Sequence, residues 1–167
     1  NPLLNCSFHP IPCNLFPVTE GRSGIEPIII VLHYLSDTMD AVALNQATTS
    51  KRLAKGKRVQ GYTYLVDVTG FSAQLQDLED TVPNLYTLLN PTTTLLDSAV
   101  TGIDAYLIHI GLTGMNLPCE TFTEAQYWEL VRLICCITNT YPGLVPTPET
   151  VLLPTAIHLT EKSQEHY

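Results

Sequence analysis

Beside the acidic residues, five histidines, five cysteines and eight tyrosines supply side chains that can hold a metal or move a proton. Two of the histidines stand out by position. His33 directly follows the apolar run Ile28-Ile29-Ile30-Val31-Leu32, and His158 directly follows the run from Val151 to Ile157. In open α/β sheets, sites assemble at the C-terminal ends of strands. Two imidazoles delivered by neighbouring strands can hold Zn²⁺ once a third ligand arrives, with the fourth position left to water. Both also suit a plain role as polar strand-end residues. His9, in a proline-rich stretch, and His109, inside a strand-like run, read as structural. The cysteines are Cys6, Cys13, Cys119, Cys135 and Cys136, an odd number without zinc-ribbon spacing. Cys135 and Cys136 fall in a helical pattern where at least one reads as a small buried hydrophobe. Cys6 and Cys13 enclose a short proline-rich segment and can pair outside the cytoplasm.

The chain that must position these groups has 167 residues, is 45% hydrophobic and 14% charged, and carries a formal charge of -8. That composition suits one folded domain and excludes collagen, coiled coil and disorder. Its longest apolar run is far short of the roughly 20 residues that span a bilayer. The acidic balance argues against nucleic acid as a partner. One basic cluster, Lys51, Arg52, Lys55, Lys57 and Arg58, reads as a solvated loop. Asn1 in place of Met points to a processed or incomplete chain.

Prolines at 2, 10, 12, 17 and 27 make residues 1–26 an irregular N-terminal arm, followed by a domain over 27–167. Ile28 to Leu32 reads as a central strand buried on both faces. A helix is expected from Ala41 to Leu53, capped by Ser36 or Asp37. Tyr62 to Val66 and Phe71 to Leu75 form a hairpin around Val68-Thr69-Gly70. Residues 77–102 show no clean period and read as a long loop with some helix. Ala105 to Leu112 is a further strand. The clearest helix runs from about Thr123 to Thr140, capped by Thr121 or Thr123, with Thr121 and Glu124 spaced as a capping box, Leu130, Leu133, Ile134 and Ile137 facing the core, and Tyr141-Pro142-Gly143 as its stop. Strands alternating with helices give the expected class: α/β, a central mixed β-sheet flanked by helices.

In that order the segments resemble a known family. Ile30-Val31-Leu32-His33-Tyr34-Leu35-Ser36 is similar to the strand-His opening of the type 2 N-acetylmuramoyl-L-alanine amidases, the superfamily shared with peptidoglycan recognition proteins and phage lysozyme-amidases. Gly61-Tyr62-Thr63-Tyr64-Leu65-Val66-Asp67-Val68-Thr69-Gly70 resembles its hairpin, and Leu107-Ile108-His109-Ile110-Gly111-Leu112-Thr113-Gly114 its Ile-Glu-Leu strand. Phe122-Thr123-Glu124-Ala125-Gln126-Tyr127 resembles its helix start, and Ala156-Ile157-His158-Leu159-Thr160-Glu161 its second-histidine segment. The resemblance implies a zinc hydrolase that cuts the lactyl-L-alanine amide of peptidoglycan. His33 and His158 would be zinc ligands, and Tyr62 would donate to the metal water or the oxyanion. It also implies an extracytoplasmic or cell-wall-associated location.

Departures from the family pattern turn that expectation. The third ligand, an Asp or Cys in the family, can come only from Glu165 or His166, and His166 has the shorter spacing. Gln164 stands where a Lys often precedes that ligand. Gly111 replaces the strand glutamate, Thr63 replaces the His after the hairpin Tyr, and residues 77–102 contain no His or Trp. The expectation is therefore a degenerate, non-catalytic amidase-fold module that binds peptidoglycan fragments or serves as a structural subunit with protein partners in a larger assembly. The active zinc amidase is the alternative, and an unrelated α/β domain the third reading.

Overall fold

Two strands buried along nearly their whole length lie at the centre. They are β2 (Ile29–Tyr34) and β5 (Leu107–Thr113). The computed structural model describes residues 4–10, 21–47, 61–82, 103–114 and 122–152. β2 and β5 pair in parallel, from Ile29 opposite Leu107 to Tyr34 opposite Leu112. Runs rich in β-branched residues suit this place, because a parallel sheet must be covered on both faces. β3 (Tyr64–Asp67) lies parallel to β5 on its other side and turns back into antiparallel β4 (Ser72–Gln74). The short strands β1 (His9–Pro10) and β6 (Val151–Leu152) lie at the two edges, giving the order β1-β4-β3-β5-β2-β6. A proline is tolerated in β1 because an edge strand can spare its N–H.

Two helices cover the faces. α1 (Met39–Ala47) packs Met39, Val42 and Ala43 with Leu35, Tyr62, Leu65, Ala73 and Leu75. α2 (Glu124–Thr140) packs Leu130, Leu133 and Ile137 with Ile30, Leu32, Val66, Ile108, Ile110 and Leu112. The mixed α/β sheet flanked by helices is thus the architecture expected from the sequence.

The caps differ in part from expectation. Thr38, rather than Ser36 or Asp37, starts α1: its hydroxyl accepts from the Ala41 N–H at 3.3 Å and its carbonyl from the Val42 N–H at 3.1 Å. Of the two candidate caps of α2, Thr123 is the one used, and its capping box is with Gln126 rather than Thr121 with Glu124. Gln126 accepts from the Thr123 N–H at 2.9 Å, and its amide also donates to the Val66 carbonyl at 3.2 Å. A glutamate could make the first bond but not the second, so the glutamine ties the helix start to β3. The turn of the β3–β4 hairpin presses on the same helix start. Gly70 has φ +83, and a Cβ there would lie 2.7 Å from the Ala125 carbonyl oxygen.

The arm is fixed through α2. Cys6 is bonded to Cys136, with Cα atoms 5.6 Å apart, instead of to Cys13, which lies outside the described residues. Successive residues on a helix point about 100° apart. Cys136 therefore faces inward to the arm while Cys135 is exposed. Arg132 donates to the carbonyls of Asn5 and Ser7 and lies 4.3 Å over the Phe8 ring, whose edge meets Tyr64. Arg22, 2% exposed, is the second anchor. Its guanidinium donates to the carbonyls of Leu78, Asp80, Asp104, Ala105 and Leu107, joining the segment after β4 to the entry of β5. The basic cluster 51–58, the expected end of the first helix at 48–53, most of the 77–102 loop, the strand extension to Ile157 and Cys119 lie outside the described residues.

Two stability measurements follow. The disulfide closes a loop with a sequence separation of 130. Cys136→Ser should lower the unfolding free energy by about 2–5 kcal/mol in denaturant titration, and reductant should do the same to the wild type but not to the variant. Asp104 gives the second. Burial pushes its carboxyl up to about 6, with Arg22 opposing the shift. The native state then holds this proton more tightly than the unfolded chain. Its stabilising contribution is complete below about pH 4 and is lost as pH rises towards 6. Asp104→Asn should gain roughly 1–2 kcal/mol relative to wild type between pH 4 and pH 7. An equal difference at both pH values would contradict this origin.

Candidate functional site

His33, the fifth residue of β2, is fully buried on the face covered by α1. The register sets it opposite Gly111, with His109 opposite Val31. Strand side chains repeat with period two, so His109 and Gly111 share the face of His33. The two imidazoles meet diagonally across the strands: His33 Nε2 and His109 Nδ1 are 2.8 Å apart, and both residues are 0% exposed. His109, expected to be structural, thus touches the one candidate ligand in the described residues.

Tyr62 lies beside them, just before β3. Its ring centroid is 5.3 Å from that of His33, edge to face. Gln46 on α1 fixes its backbone, accepting from the Tyr62 N–H at 2.9 Å and donating to the Tyr62 carbonyl at 3.1 Å. Here a buried side-chain amide replaces the strand partner that the backbone lacks. Nothing in the sequence pattern marks Gln46 for this task. The next residue, Thr63, donates its N–H to the His109 carbonyl at 2.9 Å. The hydroxyl oxygens of Thr63 and Thr113 are buried without a hydrogen-bond partner among the described residues.

Gly111 closes the floor. A Cβ there would stand 2.8 Å from Leu65 Cδ2, 2.9 Å from Leu35 Cδ1 and 3.4 Å from Tyr62 Cδ1. The volume that a side chain on this strand would need is already filled by two leucines and the tyrosine ring. His158, His166 and Glu165 lie outside the described residues. Of the expected site residues, the structure thus brings together His33 and Tyr62 and adds His109.

The comparisons bear on this geometry. No family model and no curated protein matches the chain. Solved structures do. A selenomethionine derivative of AmpD superposes with a TM-score of 0.65 at 13% identity, covering 93% of this chain and 83% of that one. The N-acetylmuramoyl-L-alanine amidase LysC from Clostridium intestinale gives 0.53 at 15% identity, covering 94% and 99%. Drosophila PGRP-LB in complex with tracheal cytotoxin gives 0.53 at 10% identity, covering 90% and 83%. The fold is that of the amidases and peptidoglycan recognition proteins.

On this amidase-type fold, the metal implied by the resemblance is zinc, and the described residues allow one test of fit. Two nitrogens bound to one tetrahedral zinc at 2.0–2.1 Å are about 3.3 Å apart. The 2.8 Å between His33 and His109 is a hydrogen bond and too short for a coordinating pair. Among the described residues no three His, Cys, Asp or Glu side chains gather as a metal site. His33 nevertheless has the chemistry of a ligand: it is buried, and its ring is oriented by the contact of Nε2 with His109.

The floor can be tested directly. Gly111→Ala should cost about 1–3 kcal/mol in thermal or denaturant unfolding, because Leu35 and Leu65 must leave their positions to admit one carbon. A neutral substitution would show that the floor yields freely.

Proposed function

We propose that this chain is a degenerate amidase-fold module that binds peptidoglycan fragments without cleaving them. The observation that carries the reading is the filled space at Gly111. In the segment that resembles the amidase Ile-Glu-Leu strand, the glutamate is absent, and Leu35, Leu65 and Tyr62 occupy the space where its side chain would start. Cleavage of an amide requires the leaving amine to gain a proton, and a positioned acid is typically worth about 10²–10⁴-fold. Neither glycine nor its leucine neighbours can hold that proton.

The same reading keeps a metal. His33, and beyond the described residues His158 and His166, are the side chains offered to zinc by the resemblance. Zinc, when bound, supplies a Lewis acid that polarises a carbonyl. Tyr62 would direct its phenolic O–H at an oxygen of the fragment, and Gln46 holds Tyr62 at the site through its backbone. The Cys6–Cys136 disulfide favours an extracytoplasmic or wall-associated setting, since such bonds persist in oxidising compartments. A place as a structural subunit alongside protein partners is compatible with the same inert site.

The zinc-dependent N-acetylmuramoyl-L-alanine amidase is the second reading, favoured by the contact between His33 and Tyr62. Purified cell wall separates the two. The chain should bind soluble wall fragments in calorimetry, and release of L-alanine amino termini should stay at background with and without added zinc. Zinc-dependent release that disappears in Tyr62→Phe or His158→Ala would establish the amidase instead. Failure to bind wall fragments would refute the module reading.

A further inference from the structure

A surface helix normally turns charged residues to solvent. On α2 the exposed positions from Tyr127 to Thr140 are all uncharged. Trp128, Val131, Cys135 and Asn139 recur there at helical spacing along one stripe, with Tyr127 at its margin. Trp128 is 61% exposed, Tyr127 48% and Val131 36%, and Cys135 is exposed with a free thiol. The two charged residues of this stretch, Glu129 and Arg132, pair with each other, and Arg132 is turned to the arm. The Tyr127 ring meets Trp128 edge to face at 5.2 Å and lies parallel to Phe122, so both exposed rings are held before anything docks. Contact then costs little side-chain freedom.

We infer that this stripe is the contact face for a second copy of the chain, laid antiparallel across it and clasped by a disulfide between the two Cys135 residues. Neither wall binding nor a metal enters into it. Charge selects the occupant and its direction. A formal charge of -8 makes copies of this chain repel one another, but two such faces meet without opposing like charges. Laid parallel, the helices would set Glu124 against Glu124; laid antiparallel about Cys135, each Glu124 falls past the end of the other helix, and Val131 faces Asn139. A two-fold contact brings a residue on its axis against itself. Packed helices lie about 8–10 Å apart, with Cα atoms about 2.3 Å from each axis. Facing Cα atoms are then about 3.4–5.4 Å apart, which overlaps the range of about 4.4–6.8 Å that a disulfide spans. Area explains the need for a bond. The 17 residues of α2 make a face about 25 Å long and about 10 Å wide. That is a few hundred Å², against about 800 Å² that each side of a stable interface buries. Apolar contact aligns the copies, and the covalent bond keeps them. One Cys135 loses its proton and attacks a small-molecule disulfide such as oxidised glutathione, releasing one thiolate. The second Cys135 thiolate displaces the other, so the small disulfide gains the two electrons that the protein thiols give up, and the released thiolates take the protons.

The test equilibrates the full chain in a buffer of oxidised and reduced glutathione. Light scattering after size exclusion reads the dimer fraction, and mass mapping of unreduced peptides locates the bond. The wild type should form a dimer in which Cys135 is joined to Cys135, and Cys135→Ser should stay monomeric. Trp128→Glu and Val131→Glu each set like charges against one another on the face and should lower the dimerisation constant about tenfold or more. Thermal melts establish that both are folded, and either one carries the comparison if the other is not. A control separates a docking face from chance collision of exposed thiols. Asp40→Cys in the Cys135→Ser background offers an exposed thiol on α1 and should dimerise about tenfold less than the wild type. Equal dimerisation in this control, or in folded Trp128→Glu and Val131→Glu, overturns the proposal, since the bond then reports only an accessible thiol. A wild type that stays monomeric overturns it, as does Cys135 joined to Cys6, Cys13 or Cys119. Wall-fragment binding takes no part in any of these readouts, so the functional reading stands or falls separately.

Discussion

The parallel pairing of β2 with β5 is the constraint on which the remaining positions depend. Six residues of each strand are in register, and nearly every one of them is buried. Since their period is two, one shift of a single residue would exchange the two faces of the strand. Ile30 and Leu32 would leave the α2 core, and His33 would enter it. The existing register instead gives one face a wholly apolar contact with α2 and gives the other a polar pair, His33 and His109, surrounded by leucine and tyrosine. The stability of the first face therefore holds the geometry of the second.

Three buried side chains then do what strand hydrogen bonds cannot do at the margins of a short sheet. Gln46 binds the backbone of Tyr62 from α1, Gln126 binds the end of β3 from α2, and Arg22 gathers five carbonyls, two after β4 and three at the entry of β5. Each satisfies main-chain groups that would otherwise be buried without partners, a penalty of about 1–3 kcal/mol apiece. The charge of Arg22 costs more to bury than an amide. Burial lowers its pKa, while Tyr141 and Glu79 nearby favour the charged form.

The central strands, the hairpin and α2 were legible because each is a local pattern: a β-branched run, a glycine turn between alternating segments, a helical stripe with a stop at Tyr141-Pro142-Gly143. The caps were legible only as a class. Thr121 and Thr123 offer the same hydroxyl, and what selects Thr123 is the reach of Gln126 to β3, a tertiary bond. The site was partly legible. His33 and Tyr62 stand in recognisable segments, but the contact between His33 and His109 joins residues 76 apart through a parallel register that no local pattern encodes. The pairing of Cys6 with Cys136 was hidden for the same reason. A spacing of seven residues makes Cys13 look near, yet the arm runs along α2 and brings Cys6 to the far end of the chain's longest described helix.

That bond also changes what the molecule is as a covalent object. Residues 6 to 136 form a closed ring containing β1 to β5, α1 and nearly all of α2. A protease that cuts once inside the ring leaves a single molecule, its two pieces still joined through sulfur. Tension applied through the segments on either side of the ring passes directly from Cys6 to Cys136 and bypasses the β2–β5 pair. The strands that hold the two imidazoles together are thus shielded from pulling, and β6, outside the ring, is the part of the sheet that would peel first.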